Sequence, residues 1–511
     1  MRNLLMILFT LLAVQLNGQL YEFTTVGSIK DQKFPVDIMK FREGFYGIES
    51  SARSKFGWTI TLDKIKVKCT LQAYDDKMNL VKETPLGGGK EAFGPFAPFL
   101  KMLNGKLWML YYNYTDKSTI EVYCSPVNTT DLTVGEGKKV LEVSQKNVGL
   151  FKAMSLYQSN HLLIETSTDN SKLLFFWYSG MDNAYSFSVT DAAMKTIRSG
   201  REELDGADDL IVNNACVDNS GNFFAGYTYK KKDNYHSGIF ANTGGSSKKM
   251  EITIGEDPAH DVFVNEGTTD AQIRVYGTYS KDGYYINGMF IQSMDKKQLK
   301  VSNQFIKEVP QELIEKFADD GFARTKKKGN GLSPQVQFVT NRFKDGTVSI
   351  TGDLTRYQTT GRGMNINSTG VKGTTLHVFF KENSITVKRI PKKEAFGMEQ
   401  GNNFYLHQWG EKLVMFYTDE ETNVNTPVEN AKSISFTSRK KNVLVAALIE
   451  KDGTITRKIL YPAVSGSFYF SPDDTNRIND DTILFGLGKD KTGLTSIKTT
   501  SYFHLLHLKE E

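Results

Sequence analysis

The chain has 511 residues, of which 39% are hydrophobic and 24% charged, a composition typical of a folded globular protein. Its formal net charge of +5 is too small to indicate binding to nucleic acid. Aromatic residues make up 12% of the chain, and there are 43 glycines. Because aromatic rings fit a pleated sheet and glycine favours tight turns, this composition predicts a protein rich in β-structure.

The first 18 residues have the pattern of an export signal. Arg2 supplies a positive charge, an apolar run follows over residues 4–14, and a short polar stretch ends at Gly18. The apolar run is too short to span a bilayer as a helix. We therefore predict a signal peptide over residues 1–18 and a mature protein without a transmembrane segment.

A five-residue sequence motif, KEAFG, occurs twice, at residues 90–94 and 393–397. Each copy precedes a similar strand-like stretch, KLWMLY or KLVMFY. Such stretches recur eight times, and their mean spacing is about 63 residues. They begin at Gly44, Lys106, His161, Asn222, Ile273, Thr347, Lys412 and Thr482. The two KEAFG copies, taken as five units apart, give about 61 residues per unit, which supports a repeat fold.

Within each unit the sequence predicts four short strands joined by turns. Four-stranded antiparallel blades around an axis bury such units against their neighbours, so the predicted fold is an all-β β-propeller. The last unit is one strand short, and YEFTTV at residues 21–26 supplies a strand that would close the ring. We predict eight blades in one domain over residues 19–511, with seven blades as the alternative. PQELIEKFADD predicts a short helical insertion near residues 309–320.

Loop length predicts which face of the ring binds a partner. Turns between the first and second and between the third and fourth strands are mostly short. Connections between units and between second and third strands are long, and in a propeller these share one face. Nine basic residues in the long loops would attract an anionic partner, such as an acidic glycan or a lipid headgroup, with a merely solvated surface as the alternative. This predicted basic rim consists of Lys230, Lys231, Lys232, Lys326, Lys327, Lys328, Arg439, Lys440 and Lys441.

We find no nucleophile elbow, zinc-protease motif or phosphate-binding loop in the sequence, and we predict no cofactor or metal. The three cysteines lack metal-ligand spacing and are expected to be small buried apolar groups. Polar residues where first strands begin are candidates for the lining of an axial funnel, with turn capping as the alternative role. They are Asp208, Asp209, His260, Asp261, Asn402, Asn403 and His407. A glycosidase would need two carboxylates about 5 to 10 Å apart there.

In its signal ending at Gly18 and its series of four-stranded units, the chain resembles exported β-propeller proteins of Bacteroidota. The resemblance is architectural and covers the whole mature chain. It implies a periplasmic, outer-membrane-associated or secreted protein. We expect a non-enzymatic interaction scaffold that binds a protein or glycan partner at the cell envelope through its long-loop face. The alternative is a carbohydrate-active hydrolase or lyase with its site at the axial funnel.

Overall fold

The computed structural model describes most of the chain between residues 21 and 508. The described residues are 21–30, 38–42, 44–52, 67–75, 79–89, 93, 97–115, 119–144, 162–179, 183–204, 208–231, 234–283, 285–324, 331–333, 336–360, 367–397, 403–434, 441–461, 468–477, 482–492 and 497–508. The predicted signal peptide therefore lies outside the described residues. Within these ranges, eight sheets, each built on four antiparallel strands, follow one another and confirm the predicted eight-bladed β-propeller.

The strands of the first four blades are as follows. Blade 1 consists of Ile38–Phe41, Gly44–Ala52, Val67–Tyr74 and Leu80–Pro85. Blade 2 consists of Phe99–Leu103, Lys106–Tyr114, Thr119–Asn128 and Lys138–Ser144, with the short strand Thr133–Val134 paired to its third strand. Blade 3 consists of Leu162–Thr166, Lys172–Ser179, Ala184–Asp191 and Thr196–Glu203. Blade 4 consists of Asp208–Val217, Phe223–Lys231, Asn234–Thr243 and Ser246–Glu251.

The second half of the ring has the same plan. Blade 5 consists of Asp257–Glu266, Gln272–Tyr279, Gly288–Asp295 and Val301–Glu308, preceded by the short strand Thr253–Ile254. Blade 6 consists of Val336–Arg342, Val348–Thr360, Asn367–Lys381 and Ser384–Gly397. Blade 7 consists of Phe404–Trp409, Lys412–Glu420, Asn442–Ile449 and Ile455–Tyr461. Blade 8 consists of Phe468–Arg477, Thr482–Thr492, Ile497–Leu508 and, from the other end of the chain, Tyr21–Lys30.

Four shorter elements lie outside the blades. They are the 3-10 turn Leu86–Gly89, helix α1 (Gln311–Asp319), the two-stranded hairpin Ala323–Arg324 with Gly331–Leu332, and helix α2 (Glu421–Val424). Helix α1 follows blade 5, where the sequence pattern places a helix. Ile314 and Phe317 are buried on one side of it and pack with Val309 into the apolar cluster between blades 5 and 6. The helix is therefore docked on the ring.

The hydrophobic core is distributed between the blades. Among the described residues it forms seven apolar clusters, one for each pair of neighbours from blades 1 and 2 to blades 7 and 8. Phe176 of blade 3 meets Phe223 of blade 4 with ring centroids 5.8 Å apart, and Phe416 of blade 7 meets Phe485 of blade 8 at 4.7 Å. Each fully buried aromatic or aliphatic side chain stabilises the fold by about 1.5 to 3 kcal/mol. Apolar packing between neighbouring blades therefore stabilises the ring.

A glycine in blade 4 permits close approach of blade 5. A Cβ atom added to Gly226, on the second strand, would lie 2.1 Å from the carbonyl oxygen of Val262, on the first strand of blade 5. Real Cβ atoms do not approach a backbone oxygen that closely, so the interface requires the absence of a side chain here.

The eight recurring stretches do not all occupy the same position in their blades. Seven of the eight recurring stretches are second strands, but the stretch from His161 supplies Leu162–Thr166, the first strand of blade 3. The second strand is Lys172–Ser179. Both strands of this hairpin are apolar and both are flanked by polar turn residues, so periodicity alone does not distinguish them.

The three cysteines have the predicted character. Cys69 and Cys124 are buried, Cys216 is half-buried, and none of them forms a disulfide. Burial raises the pKa of Cys69 and of Cys124 to about 12, so both are uncharged thiols at neutral pH.

The N-terminal strand closes the ring as predicted. Tyr21–Lys30 pairs antiparallel with Ile497–Leu508, with Tyr21 opposite Leu508 and Phe23 opposite Leu506. It is the outermost strand of blade 8 and covers an edge that would otherwise be open.

Deletion of Tyr21–Lys30 from the mature chain should lower the free energy of unfolding by several kcal/mol, because a whole strand loses its pairing and packing. Urea unfolding followed by circular dichroism measures the change. A synthetic peptide of residues 21–30 added in excess should restore part of the loss by strand addition. A truncated chain that unfolds at the same urea concentration as the parent would contradict ring closure.

Candidate functional site

The two faces of the ring differ in their loops, with one exception to the prediction. In blade 4 the connection between the second and third strands, from Lys231 to Asn234, spans only two residues instead of the predicted long loop. The turns from first to second strand are short, as at Leu103–Lys106 in blade 2 and Phe343–Thr347 in blade 6. We call this side the short-turn face. The opposite side, called the long-loop face, carries the connections between blades and between second and third strands. It also carries the insertion with helix α1.

Two residues of the predicted funnel set contact each other on blade 5. His260 Nδ1 lies 2.9 Å from Asp261 Oδ2, and Thr278 donates its hydroxyl to the same carboxylate oxygen at 2.8 Å. Burial by itself would lower the pKa of His260, but the nearby carboxylates of Asp261 and Asp282 outweigh it and the pKa is raised. The contact with Asp261 therefore favours the protonated form of His260 and holds the two side chains together.

The other funnel candidates are placed separately. Asp208 and Asp209 begin the first strand of blade 4. Asn403 and His407 belong to blade 7, two blades from His260, and His407 is buried. Asn402 lies outside the described residues.

Three of the nine predicted rim residues are described. Lys231 and Lys441 are exposed and Lys230 is half-buried, and all three lie at the ends of strands that open onto the long-loop face. Lys232, Lys326, Lys327, Lys328, Arg439 and Lys440 lie outside the described residues.

A cluster of buried ion pairs, which sequence reasoning missed, joins blades 6 and 7 beneath the long-loop face. At its centre Lys392 Nζ lies 2.7 Å from Asp353 Oδ2, and both side chains are inaccessible to solvent. Asp353 also accepts bonds from the Thr375 hydroxyl at 2.5 Å and from the Asn403 backbone N–H at 2.7 Å. Burial lowers the pKa of Lys392, while Asp353 opposes this shift and favours the charged amine.

The same cluster anchors the helical insertion. Asp320, directly after helix α1, accepts from Arg389 Nε at 2.7 Å and from the Thr374 hydroxyl at 2.9 Å, both on blade 6. Its other oxygen accepts from the backbone N–H of Ser433, in the loop between the second and third strands of blade 7, at 3.0 Å. One carboxylate therefore ties together the insertion, blade 6 and a loop of blade 7.

The second KEAFG copy supplies two further ion pairs and a backbone hydrogen bond of this cluster. Lys393 Nζ lies 2.8 Å from Glu420 Oε1 at the start of helix α2, and Glu394 Oε1 lies 2.6 Å from Arg356 Nη2. The backbone N–H of Glu394 also donates to the carbonyl oxygen of Ile434 at 2.7 Å. This copy ends the last strand of blade 6, and the first copy likewise lies between blades 1 and 2, where only Phe93 is described.

A polar chain of contacts crosses the short-turn face near the axis. The Thr168 hydroxyl of blade 3 donates to Glu266 at the end of the first strand of blade 5, although blade 4 lies between them. Arg342 Nη1 of blade 6 pairs with Glu266 at 3.1 Å, and Gln408 Nε2 of blade 7 donates to the Arg342 carbonyl oxygen at 3.0 Å. This chain links the axial ends of blades 3, 5, 6 and 7.

Glu165 is a further acid near the axis that the sequence does not single out. It lies on the first strand of blade 3, one residue before that strand ends. Burial raises its pKa to about 7, and Lys101 on the first strand of blade 2 lowers it by a smaller amount. A carboxyl group with such a pKa can release or accept a proton at neutral pH. No sequence motif marks it, because Lys101, which influences its pKa, lies on a different blade.

No three His, Cys, Asp or Glu side chains converge as a metal site within the described ranges. None of the helices in the described part of the chain is long and apolar enough to cross a bilayer.

Comparison with known proteins finds similar folds and no family. No family model matches the chain, and no curated protein matches it. Among solved structures it is similar to the β-propeller domain of the Trilobed protease from Pyrococcus furiosus, with 12% identity and a TM-score of 0.35 over 86% of this chain and 98% of that one. It is also similar to the polysaccharide lyase Uly1, with 13% identity and a TM-score of 0.37 over 82% of this chain and 91% of that one.

A third similar structure is the WD40 domain of SCAP from fission yeast, with 8% identity and a TM-score of 0.40 over 97% of this chain and 96% of that one. Similarity at this level concerns the fold alone and says nothing about activity.

Replacing Asp353 with Ala should lower the free energy of unfolding by about 3 to 5 kcal/mol, because it leaves the Lys392 charge buried without its partner. Adding Lys392→Met should recover part of that loss. Glu142→Ala, which removes a partner of the exposed Lys139, serves as control and should cost less than about 1 kcal/mol. Equal effects of Asp353→Ala and Glu142→Ala in urea unfolding would contradict the buried pair.

His377, in the third strand of blade 6, is a buried neutral base. Its Nδ1 lies 2.6 Å from the Thr351 hydroxyl, and burial lowers its pKa to about 3. The unfolded chain binds a proton at this residue below about pH 6.5, whereas the folded chain does so only below about pH 3. This residue therefore makes the fold less stable as pH falls from about 6.5 towards 3.

Between pH 7 and pH 5 this residue should account for a loss of about 2 kcal/mol in the free energy of unfolding. His377→Gln keeps a polar side chain opposite Thr351 and does not titrate, so that part of the loss should disappear. Urea unfolding of both proteins at the two pH values measures the difference. If both proteins lose the same stability, His377 does not provide the pH dependence.

Proposed function

We propose that this protein is an exported, non-enzymatic interaction scaffold that binds a protein or glycan partner at the cell envelope through its long-loop face. Export rests on the signal predicted over residues 1–18. A ring of blades is a rigid support, and the loops on one face of such a support are well placed to form a binding surface.

The observation that carries the proposal is that two separate long segments of this face are fixed by buried ion pairs. Asp320 with Arg389 fixes the insertion, and Lys393 with Glu420 fixes the loop that contains helix α2. Beneath them, Glu394 with Arg356 joins the fourth and second strands of blade 6. Buried pairs add little net stability compared with apolar packing, but they define geometry. Loops held in one conformation lose little entropy when a partner binds, which favours affinity and specificity.

Four of the described carboxylates beneath this face pair with basic side chains of the protein. Asp320, Asp353, Glu394 and Glu420 each lie within hydrogen-bond distance of a basic side chain of the protein itself. A carboxylate whose oxygens already bind the protein's own basic side chains is not available to contact a substrate.

A carbohydrate-active hydrolase or lyase is the second candidate, and Glu165 is the observation that favours it. Its pKa of about 7 would suit a general acid at the axis. The two candidates differ in whether the protein turns over an envelope glycan.

Binding to isolated envelope fractions should weaken about tenfold in the double variant Lys393→Gln, Glu420→Gln, because the loop with helix α2 loses its anchor. The matched control is Lys139→Gln, Glu142→Gln, an exposed pair on the outermost strand of blade 2, which should bind as the parent does. Binding is measured by sedimentation of the purified protein with the fractions.

Raising the salt from about 0.05 to 0.5 M should weaken binding if the basic rim takes part, because exposed charges are then screened within a few ångströms. Changing all nine rim residues to Gln should weaken binding at low salt and remove most of this salt dependence. Parent protein that does not sediment with any fraction would contradict the scaffold proposal. Turnover of an envelope glycan by the parent that is abolished in Glu165→Gln would establish the enzyme instead.

A further inference from the structure

An exposed aromatic ring lies beside the polar pair on blade 5. Tyr235 belongs to the third strand of blade 4, opposite Lys230, and 37% of its surface is accessible to solvent. Its ring centroid is 5.8 Å from that of His260, with the two planes inclined at 44°. The exposed ring offers an apolar surface directly beside hydrogen-bonding side chains.

The polar pair is held firmly from two blades. The carbonyl oxygen of His260 accepts hydrogen bonds from the hydroxyls of Thr228 at 3.0 Å and Ser237 at 2.7 Å, both on blade 4. Its imidazole is oriented by Asp261, and the backbone N–H of Asp261 donates to Thr278 Oγ1 at 3.2 Å. The side chains of His260 and Asp261 therefore keep one orientation relative to the ring of Tyr235.

These three side chains offer what a sugar ring needs. The C–H face of a pyranose is apolar and packs on an aromatic ring, while its hydroxyls both donate and accept hydrogen bonds. A carboxylate such as that of Asp261 accepts from a hydroxyl, and the second ring nitrogen of His260, Nε2, can donate to one or accept from one. Fixed polar groups beside an aromatic surface are the common composition of a small-ligand site.

The size of the arrangement favours a sugar over a protein. A specific protein partner usually covers about 800 Å² on each side, whereas the accessible surface here is small, because the side chains of His260 and Asp261 are only 9% and 13% exposed beside Tyr235. We propose that Tyr235, His260 and Asp261 form a subsite for one pyranose residue of a glycan. This subsite rests on the proposed binding function of the long-loop face and specifies its ligand class.

The test uses the whole mature protein and a set of defined hexasaccharides, both neutral and acidic, made of glucose, galactose, N-acetylglucosamine or uronic acids. Binding is measured by isothermal titration calorimetry and by saturation-transfer NMR. At least one of them should bind to the parent. Tyr235→Ala should weaken that binding at least tenfold, whereas Tyr235→Phe, which keeps the ring, should change it less than threefold.

Asp261→Asn and His260→Gln should each weaken the same binding, because each replaces a hydrogen-bonding partner of the sugar hydroxyls. Ile306→Ala is the control, since Ile306 is an exposed apolar residue on the outermost strand of blade 5 and should leave binding unchanged. Thermal unfolding of every variant establishes that it is folded. The intensity of the saturation-transfer signals from the ring protons of the bound sugar should fall sharply in Tyr235→Ala.

Two results would overturn the subsite. One is a parent protein that binds none of the hexasaccharides, and the other is a folded Tyr235→Ala variant that binds as tightly as the parent. If the parent still sediments with envelope fractions in either case, the scaffold proposal stands and its ligand is a protein that contacts another part of the face. If hexasaccharides bind at Tyr235 but the protein does not sediment with any envelope fraction, the subsite is supported and the proposed envelope partner is wrong.

Discussion

The structure depends on one constraint, which is that the last blade of the ring needs a strand from the N-terminal part of the chain to be complete. Tyr21–Lys30 provides this by pairing with Ile497–Leu508 as the outermost strand of blade 8. Each blade then has two neighbours against which its apolar side chains pack, and the core consists of successive interfaces. Without the closing strand, blade 8 would expose an unpaired edge, which is a site for aggregation. Closure also gives the loops of the long-loop face a fixed frame.

The junction of blades 6 and 7 contains buried charges that a β-propeller does not require for folding. Apolar residues of similar size would pack the junction of blades 6 and 7 equally well. Instead, Asp353 with Lys392 and Asp320 with Arg389 are buried there, and the second KEAFG copy adds Lys393. Buried pairs of this kind accept few alternative arrangements, since any shift leaves a charge without a partner. They exchange some stability for a single geometry of the loops above them, which is the property that a binding surface requires.

The sequence predicts the fold well and the site poorly, for a physical reason. The eight units, the closing strand and the helix are local patterns of apolar residues and turns, which the chain displays in order. The pairing of Glu394 with Arg356 and of Lys393 with Glu420 depends on how separate strands lie side by side, and no spacing reveals it. His260 and Asp261 are adjacent in the sequence, but Tyr235 reaches them from another blade. The sequence does not show that the stretch from His161 is a first strand, because both strands of that hairpin carry the same signals.

The most direct test of the account is hydrogen–deuterium exchange of the loop between the second and third strands of blade 7. We expect the backbone amides of residues 421–434 to exchange almost as slowly as those of the flanking strands, because Asp320, Glu420 and Glu394 hold this loop to blade 6. In the double variant Lys393→Gln, Glu420→Gln the same amides should exchange much faster, with the strands unchanged. Complete exchange of this loop within seconds in the parent protein would contradict a long-loop face held ready for a partner.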